Sequence, residues 1–149
     1  LVVMAGHMEN PNYREFNVHH DIPACQKVYN EWPTPIYTSP FELGEHILYP
    51  ARSISEDFGW TKHHPSVDAY KCYLPNMEDR PTWDLTAVLY AIDPGQMFSL
   101  SPAGRIHVSD LGCTTFKADA TGNHYYLYTS PEQKKQILDY FVNMITKKP

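Results

Sequence analysis

The chain opens on Leu1-Val2-Val3-Met4-Ala5, an unbroken apolar run that ends at Gly6. A strand with one wet face alternates apolar and polar residues, so a run without alternation belongs inside a sheet covered on both faces. Such sheets are parallel or mostly parallel, with helices carrying the chain from strand to strand. This one feature restricts the chain to an α/β architecture. It also predicts that the polypeptide is the carboxyl-terminal part of something longer, because an interior strand makes an abrupt beginning.

The punctuation downstream agrees. Residues 7–16 are polar and loop-like, and Pro11 interrupts them. A helix is predicted from Asp21, an acidic N-cap followed by Pro23 in the first turn, with Ala24, Cys25 and Val28 at helical spacing. Pro33-Thr34-Pro35 breaks it, Ile36 and Tyr37 begin a second strand, and residues 41–71 read as two or three short helices. After Arg80-Pro81, Thr82 is a candidate N-cap, and Leu85, Val88, Leu89 and Ile92 fall on one helical stripe that should face the core. Runs at Arg105–Val108, Thr114–Lys117 and His124–Tyr128 predict a short antiparallel meander. Ser130, Pro131 and Gln133 form a capping box ahead of a final helix whose apolar face carries Ile137, Leu138, Phe141, Val142 and Ile145. The expected fold is therefore α/β, a mostly parallel sheet flanked by helices, with the meander and a carboxyl-terminal helix.

At 149 residues there is room for one ordinary domain and hardly for two. No repeat, linker or low-complexity stretch divides it, so residues 1–149 are expected to form a single α/β unit. An apolar fraction of 42% against 19% charged residues excludes a disordered chain. The net charge of -5 argues against nucleic acid as a partner, and no apolar run approaches a membrane span. Cys25, Cys72 and Cys113 stand far apart, an odd and sparse set that suits buried thiols better than a disulfide framework or a zinc site.

Three features could carry chemistry. The loop after the first strand holds Asn10, Asn12, Glu15 and Asn17. Loops at the carboxyl ends of parallel strands line ligand crevices, and carboxylates and carboxamides suit a polyhydroxylated ligand; they are also what any loop favours. Asp84 falls in the first turn of a strongly apolar helix with Trp83 beside it. There a carboxylate either complements the helix dipole or binds a cation or hydroxyl, and the indole either packs or stacks. The eight histidines include the doublets His19-His20 and His63-His64, but neither has the spacing of a zinc motif. No nucleophile elbow, phosphate loop or dinucleotide fingerprint occurs.

Taken together, Met4-Ala5-Gly6, Glu15-Phe16-Asn17 followed by Asp21-Ile22-Pro23-Ala24, and Trp83-Asp84-Leu85-Thr86-Ala87-Val88 resemble, in order and spacing, the nucleoside hydrolase family. The resemblance covers the carboxyl half of that family. It implies hydrolysis of an N-ribosidic bond through an oxocarbenium-like transition state, with a Ca²⁺ ion positioning the attacking water. Asp84 would be a metal ligand that also contacts a ribose hydroxyl. Asn17 would bind the lower ribose hydroxyls and Glu15 the 5′-hydroxyl, while Met4 would pack near the sugar. A second 5′-hydroxyl contact would fall on Asn10, with Asn12 in reserve.

Trp83 stands where many members carry a histidine acid, and in this it is similar to purine-preferring members, whose tryptophan stacks on the base. His7, His63 and His64 are substitutes for the missing acid. The family's aspartate cluster, which supplies most calcium ligands, has no counterpart in these 149 residues. The expected partners are accordingly a nucleoside and either further copies of the chain or a missing amino-terminal half. The alternatives are a non-catalytic nucleoside- or sugar-binding module, or a hydrolase of another riboside.

Overall fold

The structure, a computed structural model, describes residues 1–148. The chain runs through β1 (Val2–Met4), α1 (Phe16–His20), α2 (Ile22–Glu31), β2 (Ile36–Ser39), α3 (Phe41–Glu45), β3 (Leu48–Tyr49), α4 (Ala51–Glu56) and α5 (Pro65–Tyr73). It continues through β4 (Arg80–Pro81), α6 (Trp83–Ile92), β5 (Ser99–Leu100), β6 (Gly104–Val108), β7 (Thr114–Ala118), β8 (His124–Tyr128) and α7 (Pro131–Ile145).

The main sheet has the order β1-β2-β8-β6-β7, and β5 joins it through β8. Strands β1, β2 and β8 are parallel, with Val2 opposite Tyr37 and Ile36 opposite His124. The expected hairpin forms from β6 and β7, but β8 does not continue the meander beside β7. It crosses to lie between β2 and β6, antiparallel to β6, and so joins the hairpin to the parallel strands. Strands β3 and β4 form a separate antiparallel ladder.

Side-chain alternation along β2 divides the helices between two faces. Ile36 and Thr38 face α2, where Ile36 joins a core of Ala5, Val18, Tyr29, Ile106 and Val108, and Tyr29 bonds Thr38 at 2.9 Å. Tyr37 and Ser39 face the other way, toward the larger core of α3 to α7, and Ser39 Oγ meets Thr86 Oγ1 at 2.6 Å. The capping predictions hold at two helices. Asp21 accepts from the Ala24 amide at the start of α2, and Ser130 and Gln133 close the capping box of α7.

Three expectations need correction. Residues 7–16 do not lead straight to the Asp21 helix, because the short α1 intervenes, capped by the Glu15 carboxylate. On α6 the buried side chains are Thr86, Leu89 and Tyr90, whereas Leu85, Val88 and Ile92 are exposed, Val88 by 56% and Ile92 by 69%. A helix apolar on every side offers no polar face to orient it, so packing against β1 and β2 selected a different stripe. None of the three cysteines is fully buried: Cys25 and Cys113 are half-buried and Cys72 is exposed. No helix of the described residues is long and apolar enough to cross a membrane.

Candidate functional site

Beyond the carboxyl end of β1 lies a cleft of about 440 Å³, lined by Met4, Glu15, Phe16, Asn17, Phe41, Tyr73, Arg80, Trp83 and Asp84. Two loops and one helix start build it. Strand β1 delivers Met4, and Gly6 then turns the chain with φ +74°, in the left-handed region that glycine adopts without strain. That turn aims the Gly6 amide at Glu15 Oε2, 3.0 Å away. Val18 N–H donates to the same oxygen at 3.1 Å, and Asn17 N–H donates to Oε1 at 3.0 Å.

Glu15 is 2% exposed, so these backbone donors stand in for the water that a buried carboxylate loses. Its first role is to tie the β1 loop to α1. Oε1 retains acceptor capacity toward the cleft. The same charge reaches Cys25, whose thiol is pushed up to about 11, first by burial and then by Glu15 and Asp21.

Asn17 is fixed by its amide nitrogen, which donates to the Met4 carbonyl at 3.2 Å and approaches Met4 Sδ at 3.1 Å. Its Oδ1 is left to accept from a hydroxyl. Asp84 is exposed in the first turn of α6, where the helix dipole favours a carboxylate. Thr82 holds the N-cap position without capping; its hydroxyl donates instead to the Ile47 carbonyl at 2.9 Å and stitches the start of α6 to the turn between α3 and β3.

Trp83 is sandwiched. Its ring stacks on Phe41 at 5.2 Å, and the Arg80 guanidinium lies over it at 5.2 Å while also lying 4.9 Å over the exposed Tyr73 ring. Arg80 therefore already lies over indole surface that a stacked base would use. Trp83 Nε1 is buried and has no hydrogen-bond partner among the described residues. A second cavity of about 440 Å³ shares Arg80, Trp83 and Asp84 with the cleft, so the two spaces meet at these side chains.

Five of the six sequence-predicted positions thus converge: Met4, Glu15, Asn17, Trp83 and Asp84. Asn10 does not join them. Its Oδ1 accepts from Asn12 N–H at 3.0 Å in an exposed turn, and neither residue lines the cleft. The candidate histidines are also elsewhere. His7 Nδ1 accepts from Asn10 N–H at 3.1 Å and lies 3.2 Å from Glu42 Oε2, away from the cleft. Burial pushes the Glu42 carboxyl above its ordinary range. His64 caps α5, and neither it nor His63 lines the cleft.

The residues missed from sequence are Arg80, Tyr73, Phe41 and Phe16. Arg80 had a signal, being the residue that opens the Arg80-Pro81-Thr82-Trp83-Asp84 segment, but it read as a helix boundary. Among the described residues no three His, Cys, Asp or Glu side chains gather as a metal site. The cleft offers one uncommitted carboxylate, Asp84, against the roughly six to eight oxygens calcium takes. These residues alone do not fit a calcium ion.

No family model matches the sequence, and no curated protein matches it. Solved structures do match. An inosine-guanosine nucleoside hydrolase superposes with a TM-score of 0.73 at 15% identity, over 98% of this chain and 51% of its own. A plant nucleoside hydrolase superposes with a TM-score of 0.64, also at 15% identity, over 99% of this chain and 52% of its own. The fold is that of nucleoside hydrolases, and the chain spans about half the length of these structures.

Proposed function

We propose that this chain is the sugar- and base-gripping portion of a nucleoside hydrolase-like enzyme, acting on purine nucleosides foremost. The observation that carries this is the convergence of Met4, Glu15, Asn17, Trp83 and Asp84, residues far apart in sequence, on one cleft at a strand's carboxyl end. In the reaction, water adds its hydroxyl to C1′ of the ribose, the C1′–N bond breaks with its electrons on the base, and the water's proton ends on the base. Asn17 Oδ1 and Asp84 accept from the ribose hydroxyls, Glu15 Oε1 accepts from the 5′-hydroxyl, and Met4 packs against the ring. Such contacts are catalytic where they strengthen as the sugar flattens toward the oxocarbenium ion. Asn10 has no part in this arrangement.

Calcium belongs to this proposal only as a shared ligand of Asp84, with its remaining oxygens contributed from outside these residues. The open edge of β1 and the exposed Leu85, Val88 and Ile92 on α6, the helix packed over β1, suit a partner that extends the sheet and brings those carboxylates. The other half of a nucleoside hydrolase fold is such a partner. A second copy of this chain is the other candidate. The single uncommitted carboxylate favours one other reading, a nucleoside-binding module without turnover.

The experiment is methyl NMR on methionine-labelled 149-residue chain. Inosine and ribose should each shift the Met4 methyl and leave the Met144 methyl in place, and Asn17→Ala should weaken both ligands. No shift of Met4 at millimolar inosine or ribose refutes the proposal. Stoichiometric calcium binding by the chain alone would refute the need for outside carboxylates.

A further inference from the structure

We propose that Arg80 recognises the base, its guanidinium donating two parallel hydrogen bonds to the adjacent oxygen and ring nitrogen on one edge of a 6-oxopurine. This rests on the nucleoside reading above and concerns the part of the ligand that the sugar contacts leave unread. The position of Arg80 is built rather than incidental. Its backbone is paired with Tyr49 in the β3–β4 ladder, and the preceding Asp79 accepts from the Ala51 amide at 2.9 Å. Its guanidinium is held from two sides, 4.9 Å from the Tyr73 ring centre and 5.2 Å from that of Trp83.

Two aromatic faces can hold a guanidinium without using any of its five N–H donors. Among the described residues those donors have neither a carboxylate nor a carbonyl partner, although Arg80 is half-buried. The other three arginines show the contrast. Arg105 pairs with Asp119 at 2.9 Å, Arg14 bonds the Leu111 carbonyl at 2.9 Å, and Arg52 stands 3.8 Å from Glu56. Arg80 alone among them sits where the cleft and the neighbouring cavity meet, with its fork unused.

A fork of parallel donors takes either an anion or a pair of adjacent acceptors. Glu15 and Asp84 line the same cleft, and their charge disfavours an anion. A neutral pair of acceptors remains, and O6 with N7 of a 6-oxopurine is that pair. Adenine presents an amino donor at the same place and would set N–H against N–H.

The test is calorimetric titration of the 149-residue chain with inosine, adenosine, ribose and ribose 5-phosphate, alongside Arg80→Gln, Arg80→Lys and Tyr73→Ala, each checked by its unfolding midpoint. Wild type should bind inosine more tightly than adenosine. Arg80→Gln should weaken inosine roughly 10- to 100-fold, the range for a hydrogen bond to a charged group, and erase the preference while leaving ribose unchanged. Arg80→Lys, which keeps charge without the fork, should restore little of it. Tyr73→Ala, which releases one side of the guanidinium, should fall between.

Equal loss of inosine and ribose in Arg80→Gln would mean that Arg80 only shapes the cleft, and would overturn the proposal. So would an Arg80→Gln effect confined to ribose 5-phosphate, which would make it an anion contact. Ribose binding with no inosine preference overturns the Arg80 assignment alone; binding of neither inosine nor ribose overturns the nucleoside reading with it.

Discussion

Gly44→Ala tests how closely the site depends on the contact between α3 and α6. A Cβ built on Gly44 falls 2.4 Å from Trp83 Cα, 2.7 Å from Trp83 N and 2.8 Å from Trp83 Cδ1. Two of those three atoms are backbone, so no rotamer change relieves the clash. Carbon atoms rest about 3.5–4.0 Å apart, so the start of α6 must retreat by roughly 1–1.5 Å. The Thr82 amide, now shared between the Gly44 and Ile47 carbonyls at 3.1 Å each, would then lose the Gly44 bond. Overpacking costs about 1–3 kcal/mol and the lost bond about 1 more, while alanine in a helix returns about 1, for a net loss of about 1–3 kcal/mol. For a domain of this size that is a Tm lower by roughly 3–10 °C.

The same retreat carries Trp83 and Asp84 away from Asn17 and Glu15, so inosine binding should weaken further than the stability loss explains. Gly59→Ala is the control, since its Cβ would meet nothing within 4 Å. Scanning calorimetry on both variants, with inosine titration of each, makes the comparison. Equal Tm values for the two would show that α3 and α6 are not in the contact described, and the reasoning would fail.

Two further outcomes follow from buried and exposed groups outside the cleft. His124 Nδ1 accepts from Ile106 N–H at 2.9 Å, and burial, aided by Arg105, holds its pKa below the ordinary value of 6.5. The unfolded chain therefore takes up a proton before the folded one, so stability should be flat above pH about 6.5 and fall as pH drops below it. His124→Gln should lack that share of the fall in urea midpoints between neutral and mildly acid pH; identical slopes would contradict it. Val88→Glu should reduce self-association in light scattering while moving the unfolding midpoint by no more than about 0.5 kcal/mol, since Val88 faces solvent. A larger loss would mean that Val88 packs within the fold.

What was legible in the sequence was whatever one short segment decides by itself. The caps at Asp21 and Ser130 depend only on a side chain reaching its own helix, and both formed. The strand at Val2–Met4 followed from its apolar run, but not its place: β1 is half-buried at the sheet edge rather than inside a covered sheet, because where a strand sits depends on its neighbours. Features decided by distant partners were not legible. The five residues of α1 are too few for periodicity, and their cap is a glutamate held from the far side by Gly6. The place of β8 depends on which of two neighbours it meets, and its own five residues do not say. At the site, Glu15, Asn17, Trp83 and Asp84 came from motifs, whereas Arg80 owes its place to Tyr73 and Trp83, one seven residues upstream and one three residues downstream.

Helix α6 shows how site and assembly are linked. Its first turn carries Trp83 and Asp84 into the cleft, its Thr86, Leu89 and Tyr90 pack inward, and its Leu85, Val88 and Ile92 face solvent. A helix apolar on all sides is at rest only when covered on all sides. Strand β1 beside it also ends the sheet with one edge unpaired. The cleft that Met4 of β1 and Asp84 of α6 both line holds one carboxylate, Glu15, besides Asp84, and backbone amides already engage it. A cover that pairs with β1 and buries the outer stripe of α6 would bring its own side chains to Asp84 in the same act. If the proposed partner is that cover, burial of the stripe and completion of the site should be one event, and a polar residue at Val88 should impair both together in the complex while sparing inosine binding by this chain alone.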